Sequence, residues 1–326
     1  INDEWKKGHI LSKSKELFDW QYKNKSGDYN FIIAKHDKNI IGILGYINSS
    51  RFDKNLLKEN IIWLALWKVS KKVKITGIGI KMLIFLQDNI EHIGIAVNGI
   101  NHSHPPMYKA LGYYSKKLNH YYVTNKEFEL RILNSPPKYV HPTLKEIGFK
   151  WERQNEESLK ILDNNICGNL NNFSKIKKTP RYFINRYLQN PFYKYEVYLI
   201  KGYKKDNMAL ISLRFDEAKG TRILRIVDYL GNPEIFSLAG KGLNYLMKKS
   251  KVEYADFWSF GFKNEIMESI GFKIVDDNAK VIVPNYFEPF IYKNNSIYFA
   301  FKDTLNSNNQ LLIFKGDGDQ DRPNIL

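Results

Sequence analysis

The 326-residue chain has a single cysteine, Cys167. That excludes an internal disulfide framework and a cysteine-built zinc site, and it suits a reducing compartment such as the cytoplasm. Cys167 sits in NNICGNLNN, with no strand-to-helix turn around it to favour a thiolate, and it reads as an inert thiol. No apolar run approaches the roughly 18 to 20 residues that a membrane span needs, so no transmembrane segment is expected. Histidine is scarce, at seven. Arginine-rich tracts and helix-turn-helix, zinc-finger and RNP signatures are missing, which weighs against nucleic acid as a partner. The chain begins at Ile1 without a methionine, which leaves a preceding segment open.

What is present suits globular cores: 43% of residues are hydrophobic and 14% aromatic, in a chain long enough for two domains of ordinary size. The balance is basic, with 50 Lys and Arg against 34 Asp and Glu and a net charge of +16. The excess is mostly lysine, scattered through KNK, KK and YKK pieces. Polyanionic small molecules account for part of it.

The stretch Ile61 to Asn89, IIWLALWKVSKKVKITGIGIKMLIFLQDN, organises the rest. Ile61 to Val69 reads as a buried strand, and Ile80 to Leu86 has apolar residues at helical spacing. Between them, Gly77 and Gly79 stand where a strand ends and a helix begins, a position that lets backbone approach a ligand and offers free amide donors to an anion. Met82 replaces the third glycine of G-x-G-x-x-G, and no G-K-[ST] follows, so the dinucleotide-binding and P-loop readings both fail. A plain strand-to-helix turn remains the alternative.

Lys74-Ile75-Thr76-Gly77-Ile78-Gly79 resembles the acyl-CoA pyrophosphate loop, Q/R-x-x-G-x-G/A, of the GNAT superfamily of N-acyltransferases, with Lys74 in place of Gln or Arg. Downstream, Tyr108-Lys109-Ala110-Leu111-Gly112-Tyr113 resembles that family's Y-x-x-x-G-F/Y segment, and Ile93 to Val97 supplies the strand between the two motifs. The resemblance implies acetyl-CoA or another acyl-CoA as donor, lying between two splayed strands. It would be held by Leu66, Trp67, Val69, Lys74, Thr76, Gly77, Ile78 and Gly79, and Tyr108 would serve the departing thiolate. A phenol suits that task because the thiolate must be protonated or hydrogen-bonded as it leaves.

The remaining pattern extends this plan. A helix over Ser12 to Tyr22 and strands Phe31 to Ala34 and Ile40 to Tyr46 open the first module, and Asn119 to Thr124 closes it. Residues 1–125 are expected to form an N-terminal GNAT-like acyl-CoA-binding module, and 126–175, punctuated by Pro136, Pro137 and Pro142, a connecting segment. Residues 176–326 are expected to form a degenerate second GNAT-like module completing the acceptor site. There Gly240-Lys241-Gly242 loosely mirrors the glycine pair and Ile270-Gly271-Phe272 mirrors Leu111-Gly112-Tyr113, while Met267 or Glu268 falls where a tyrosine is needed. The expected fold class is α/β, two tandem modules, each a mixed, mainly antiparallel twisted sheet flanked by helices.

Candidate bases for the acceptor are His104 and His120. His102 and His104 also form a common metal-pair spacing, but no third ligand is placed by sequence, and no metal is expected. Candidate substrate contacts are Arg51 and Asp53 in the polar loop after the second strand, Asp228, Tyr286 and Glu288 in the second half, and Asp317, Asp319, Asp321 and Arg322 near the end. The terminal D-x-D-x-D invites a calcium-loop reading, which Arg322 and Pro323 break. A solvated acidic tail and an acceptor-binding loop both remain. The terminus GDGDQDRPN, the segment Arg225 to Asp228 and the segment Pro284 to Phe290 resemble tandem GNAT-like proteins of bacterial surface-polysaccharide (O-antigen or capsule) clusters. That resemblance implies transfer of an acyl group to the amine of an amino sugar, nucleotide-linked, for a surface glycan. Two other readings stay open: a Fem-type aminoacyl-tRNA-dependent transferase, which would make tRNA a partner, and a non-catalytic GNAT-like binding protein. The oligomeric state is left open.

Overall fold

A computed structural model describes residues 8–134, 150–170, 172–201, 208–275, 280–304 and 308–324, without the side chains of 164–169. Pro136, Pro137 and Pro142 and the Cys167 side chain lie outside the described residues.

In chain order, helices α1 (Ile10–Lys13) and α2 (Lys15–Tyr22) lead into strands β1 (Phe31–His36), β2 (Asn39–Asn48) and β3 (Ile61–Val69). Helix α3 (Ile78–Asn89), β4 (Gly94–Ile100), α4 (Pro105–Ala110), β5 (Tyr114–Lys117) and β6 (Asn119–Thr124) follow. Then come β7 (Lys150–Gln154), α5 (Glu156–Leu170), α6 (Pro180–Phe183), β8 (Tyr195–Lys201), β9 (Met208–Ala218) and β10 (Thr221–Gly231). Next are α7 (Pro233–Phe236), α8 (Gly240–Lys249), β11 (Val252–Phe260), α9 (Asn264–Ser269) and β12 (Lys273–Ile274). The chain ends through β13 (Tyr286–Phe287), β14 (Phe290–Ile291), β15 (Tyr298–Asp303) and β16 (Ile313–Phe314).

These elements form two sheets, ordered β1-β2-β3-β4-β15-β5 and β12-β6-β11-β10-β9-β8-β7, with β16 added to β11. The only parallel neighbours with a described register are β3 with β4 and β10 with β11; the other described pairs are antiparallel. The fold class is therefore mixed α/β, two mainly antiparallel sheets flanked by helices, as the sequence pattern implies. In the first sheet the helix-facing core gathers Leu44, Ile62, Leu64, Met82, Leu86, Ile95, Val97 and Tyr108. The second gathers Leu213, Leu224, Ile226, Phe236, Leu243, Phe257 and Phe272. In both sheets the alternation along each strand sends every second apolar side chain to the helices.

Two compact units result: Ile1–Lys116 with Ile297–Asn306 and Asp317–Leu326, and Lys117–Ser296 with Ser307–Gly316. They do not divide at the boundaries expected at residues 125 and 175. Each sheet takes a strand from outside its expected module. In the first, β15 pairs along β4, and Ser115 Oγ donates to the Phe299 carbonyl at 2.6 Å. In the second, β6 lies between β11 and β12. Asn119 to Thr124 thus belongs to the second unit and does not close the first. A strand's own sequence states how well it fits a sheet, but not which distant edge it joins.

Candidate functional site

The first unit has an anion-binding geometry at the start of α3. Gly77 caps this helix in the left-handed conformation at φ 79°, and among the described residues there is no side-chain cap bond to its first turn. Nothing lies within 4 Å of where a Gly77 Cβ would stand, so the approach to those amides is open. Lys68, Lys71, Lys72, Lys74 and Lys81 flank it, with no carboxylate between residues 68 and 81. Lys74 and Thr76 are exposed. Helix dipole, bare N–H groups and lysines all favour a phosphate. Gly79 has a further reason to be glycine: its Cβ position is 3.1 Å from Trp67 Nε1, so the β3 indole packs on the bare backbone.

Beside this turn, two strands part. The parallel register of β3 with β4 runs from Ile61–Gly94 to Leu64–Val97 and then stops, although β3 continues to Val69 and β4 to Ile100. Ala65 is the extra residue of a bulge, since Gly45 pairs with Leu66 and Tyr46 with Leu64. Bulges re-aim backbone groups and increase twist, which opens the gap. Leu66, Trp67 and Val69 all lie in this parted stretch. Its β4-facing edge has no strand partner among the described residues, so its backbone groups are available to an extended ligand.

Tyr108 lies on α4 against the parted strand. Its ring meets Trp67 edge-on at 6.2 Å between centroids and Tyr113 at 5.4 Å. It is 4% exposed, and none of the described residues hydrogen-bonds its hydroxyl. Burial, with Tyr113 beside it, pushes the phenol well above its ordinary value. Burial likewise pushes Tyr113 up to about 12. Both are neutral donors at neutral pH. Gly112, at φ 81°, ends the helix and lets the Tyr113 N–H return to the Tyr108 carbonyl at 3.0 Å.

The second unit repeats each part in closed form. The parallel register of β10 with β11 ends at Ile226–Phe257, and Val227 is the bulged residue. Here the gap is filled by the chain itself: β16 pairs with β11, Lys315 N donates to the Trp258 carbonyl at 3.2 Å and Gly316 N to the Val227 carbonyl at 2.7 Å. At Gly242 on α8, a Cβ would fall on the Trp151 indole. Phe272 N returns to the Met267 carbonyl at 3.0 Å, the same bond as Tyr113 to Tyr108. Met267 is therefore the counterpart of Tyr108, and a thioether has no proton to give.

The other expected residues lie as follows. In the first unit His104 is exposed at the start of α4, its Nδ1 3.3 Å from Ser103 Oγ. Arg51 donates to the Asp19 carbonyl at 3.2 Å and lies over Trp20. Asp53 is 1% exposed and accepts from Asn55 N at 2.9 Å, capping a turn. Asp317, Asp319 and Asp321 are buried, so this terminus is no solvated tail. Gly318 packs on Trp63 and Asn98, while Arg322 reaches His9 and Asp319. In the second unit Asp228 is held by Lys178 Nζ and Tyr187 Oη, both at 2.5 Å. Tyr286 is half-buried in β13, paired with Ile291, and Glu288 is exposed in the turn to β14. Among the described residues no three His, Cys, Asp or Glu side chains are grouped to hold a metal ion.

His120 is in the second unit, 3% exposed, in a network that sequence reasoning missed. Its Nε2 is 3.0 Å from Asp256 Oδ2, and its ring stacks on Trp258 at 3.9 Å. Arg225 grips Asp256 with Nε at 3.0 Å and NH2 at 2.8 Å and also pairs with Asp216, itself paired with Arg214. Burial opposes the charge on Asp256, but the Arg225 guanidinium holds the carboxyl well below the usual range. Burial pushes His120 below the ordinary histidine value, partly offset by its bond to Asp256. The available signal was an Asp at every-second spacing from Trp258 and Tyr254 inside an otherwise buried strand.

No protein-family model matches this sequence. No curated protein matches it either. Among solved structures, a GCN5-related N-acetyltransferase from Anabaena variabilis aligns with a TM-score of 0.49 at 11% identity, over 84% of this chain and 63% of its own. A candidate acetyltransferase from Pyrococcus horikoshii aligns at 0.44 and 10%, over 91% and 81%. A conserved Enterococcus faecalis protein of unknown function, provisionally described as an N-acyltransferase, aligns at 0.47 and 10%, over 82% and 60%. The chain spans under two thirds of the Anabaena and Enterococcus proteins. Likeness at these scores carries no weight for activity, which has to be read from the site.

Proposed function

We propose that the protein is an N-acyltransferase that takes an acyl group, acetyl in the simplest case, from acyl-CoA. The observation that carries this reading is the edge of β3 beyond Leu64, open among the described residues and flanked by the α3 N-terminus and by the Tyr108 hydroxyl, which none of those residues hydrogen-bonds. The first-turn amides at Ile78 and Gly79, with Lys74, would hold the donor's pyrophosphate, and the backbone of Leu66 to Val69 would pair with its extended arm. An acceptor amine attacks the thioester carbonyl; the C–N bond forms and the C–S bond breaks. Amides near Leu66 and Trp67 would meet the developing oxyanion. Tyr108 would donate to the leaving thiolate. Its raised pKa favours hydrogen-bond donation over full proton transfer, since a thiol is the stronger acid. The amine's proton passes to a base, for which His104 is the candidate in this unit.

The acceptor we propose is an amino sugar, nucleotide-linked, used for a surface glycan; the resemblance of the terminus and of Pro284 to Phe290 supports it. Titration of acetyl-CoA into the purified protein, repeated with Gly79→Trp, tests the donor site. Micromolar binding lost in the variant is the expected result. No binding by the intact protein overturns the reading; tight tRNA binding in its place would favour aminoacyl transfer, which the charge of +16 suits.

A further inference from the structure

The second unit contains a cavity of about 390 Å³ that the donor site does not use. It falls within the range of about 300–1,000 Å³ seen for small-molecule sites. His120 and Trp258 line it, with Lys117, Asn119, Asn295 and Ser296 around them. Three polar atoms among these residues are buried without a hydrogen-bond partner: His120 Nδ1, Trp258 Nε1 and Asn295 Oδ1. His120 and Trp258 are 3% and 1% exposed. Each buried unpaired polar group costs about 1–3 kcal/mol, and three around one cavity call for a common explanation.

The network assigns the tautomer. Asp256, gripped twice by Arg225, stays ionised and has only lone pairs to offer. The His120 Nε2 facing it must therefore carry the hydrogen, which leaves Nδ1 a bare acceptor. Asn295 Oδ1 is a second acceptor, and the Trp258 N–H is a donor. Two acceptors and one donor match hydroxyl or amine groups of a ligand. Among the described residues, none of the cavity's lining side chains is a carboxylate, and Lys117 is the one cation. The lining suits a neutral or anionic ligand better than an isolated cation.

We propose that this cavity binds a polyhydroxylated ligand of monosaccharide size, with His120 Nδ1 accepting from one of its hydroxyl or amine groups. The ligand class rests on the residues above, and its link to an amino-sugar substrate rests on the acyl-transfer reading. Asp256 and Arg225 act as positioning residues, since they reach the ligand only through the imidazole.

The test uses ¹⁵N-histidine-labelled full-length protein titrated with UDP-glucosamine, UDP-N-acetylglucosamine and free glucosamine, alongside Trp fluorescence. At least one probe should move the His120 ring resonances and change indole emission. His120→Phe, which keeps a ring against Trp258, and Asn295→Leu should each weaken that probe at least tenfold. Binding that leaves the His120 resonances unmoved, or that is unchanged in both variants, overturns the assignment, as does failure of all three probes to bind; the unpaired atoms would then be met by water alone. Acetyl-CoA is titrated in parallel. Sugar binding without acetyl-CoA binding leaves the cavity assignment standing and removes the acyl-transfer reading, and acetyl-CoA binding without sugar binding does the reverse.

Discussion

The Gly316 N–H donates to the Val227 carbonyl at 2.7 Å, and through that bond the gap between β10 and β11 is closed by the protein's own backbone. Beyond Leu64 and Val97 the corresponding register in the first sheet ends, with no such filling strand among the described residues. One fold plan therefore yields one open and one sealed edge.

A stoichiometry of one donor per chain follows. Calorimetry with acetyl-CoA should give a single site, and Met267→Tyr should leave it single, because restoring a phenol does not remove β16. Two sites in the unaltered chain would contradict the sealed edge.

Gly79 and Trp67 should be coupled. A Cβ 3.1 Å from the indole Nε1 has to displace the ring, so Gly79→Val should weaken acetyl-CoA binding by at least tenfold. Trp67→Leu should relieve the contact and recover part of the affinity in the double variant. Equal losses in the single and double variants would mean that the glycine is needed for another reason. Gly77→Ala, at φ 79° with open space around it, should instead cost about 1–2 kcal/mol of stability from the left-handed backbone, measurable by urea denaturation.

Tyr108→Phe should lower kcat more than tenfold with little change in the Kd for acetyl-CoA, because the ring packing against Trp67 and Tyr113 is kept and only the hydroxyl is lost. Unchanged turnover would remove Tyr108 from the chemistry.

Acid should weaken the fold in a way that His120 dominates above pH 5. The folded value of this imidazole is depressed. The unfolded chain takes up a proton below about pH 6.5 that the folded chain refuses. The stability is thus complete above that pH and falls as pH drops toward the folded value, with a slope of at most about 1.4 kcal/mol per pH unit for one group. Asp256, also depressed, adds a second loss below about pH 4. Arg225 and Lys315 are the nearby charges that oppose protonation of His120. Urea midpoints at pH 7.5, 6 and 5 should converge for His120→Phe; an unaltered slope in that variant would assign the effect elsewhere.

Asp256→Asn should destabilise by about 3–5 kcal/mol. It leaves the Arg225 guanidinium, 1% exposed, with Asp216 as its remaining carboxylate partner. A loss below 1 kcal/mol by chemical denaturation would mean that the network relaxes around the change.

The stretch from Ile61 to Asn89 was readable directly: the apolar run became β3, and the helical spacing after Gly77 became α3 at Ile78–Asn89. Leu111-Gly112-Tyr113 and Ile270-Gly271-Phe272 were readable as a pair for the same reason, since a helix stopped by a glycine is written within about six residues. Whether Met267 or Glu268 matched Tyr108 was not, and a single backbone bond from Phe272 to Met267 decided it.

The amino-acid sequence by itself determined the elements, the glycine-capped helix and the alternation of apolar faces, because each depends on interactions spanning a turn or a few residues. Tertiary structure alone decided that Asn119–Thr124 joins β11, more than 120 residues away, that Tyr298–Asp303 completes the first sheet, and that Ile313 to Gly316 seals the second. It also decided that Asp317, Asp319 and Asp321 are buried and that His120 meets Asp256 and Trp258. Those outcomes depend on which distant edges and charges meet once the chain has closed, and no local period records that choice.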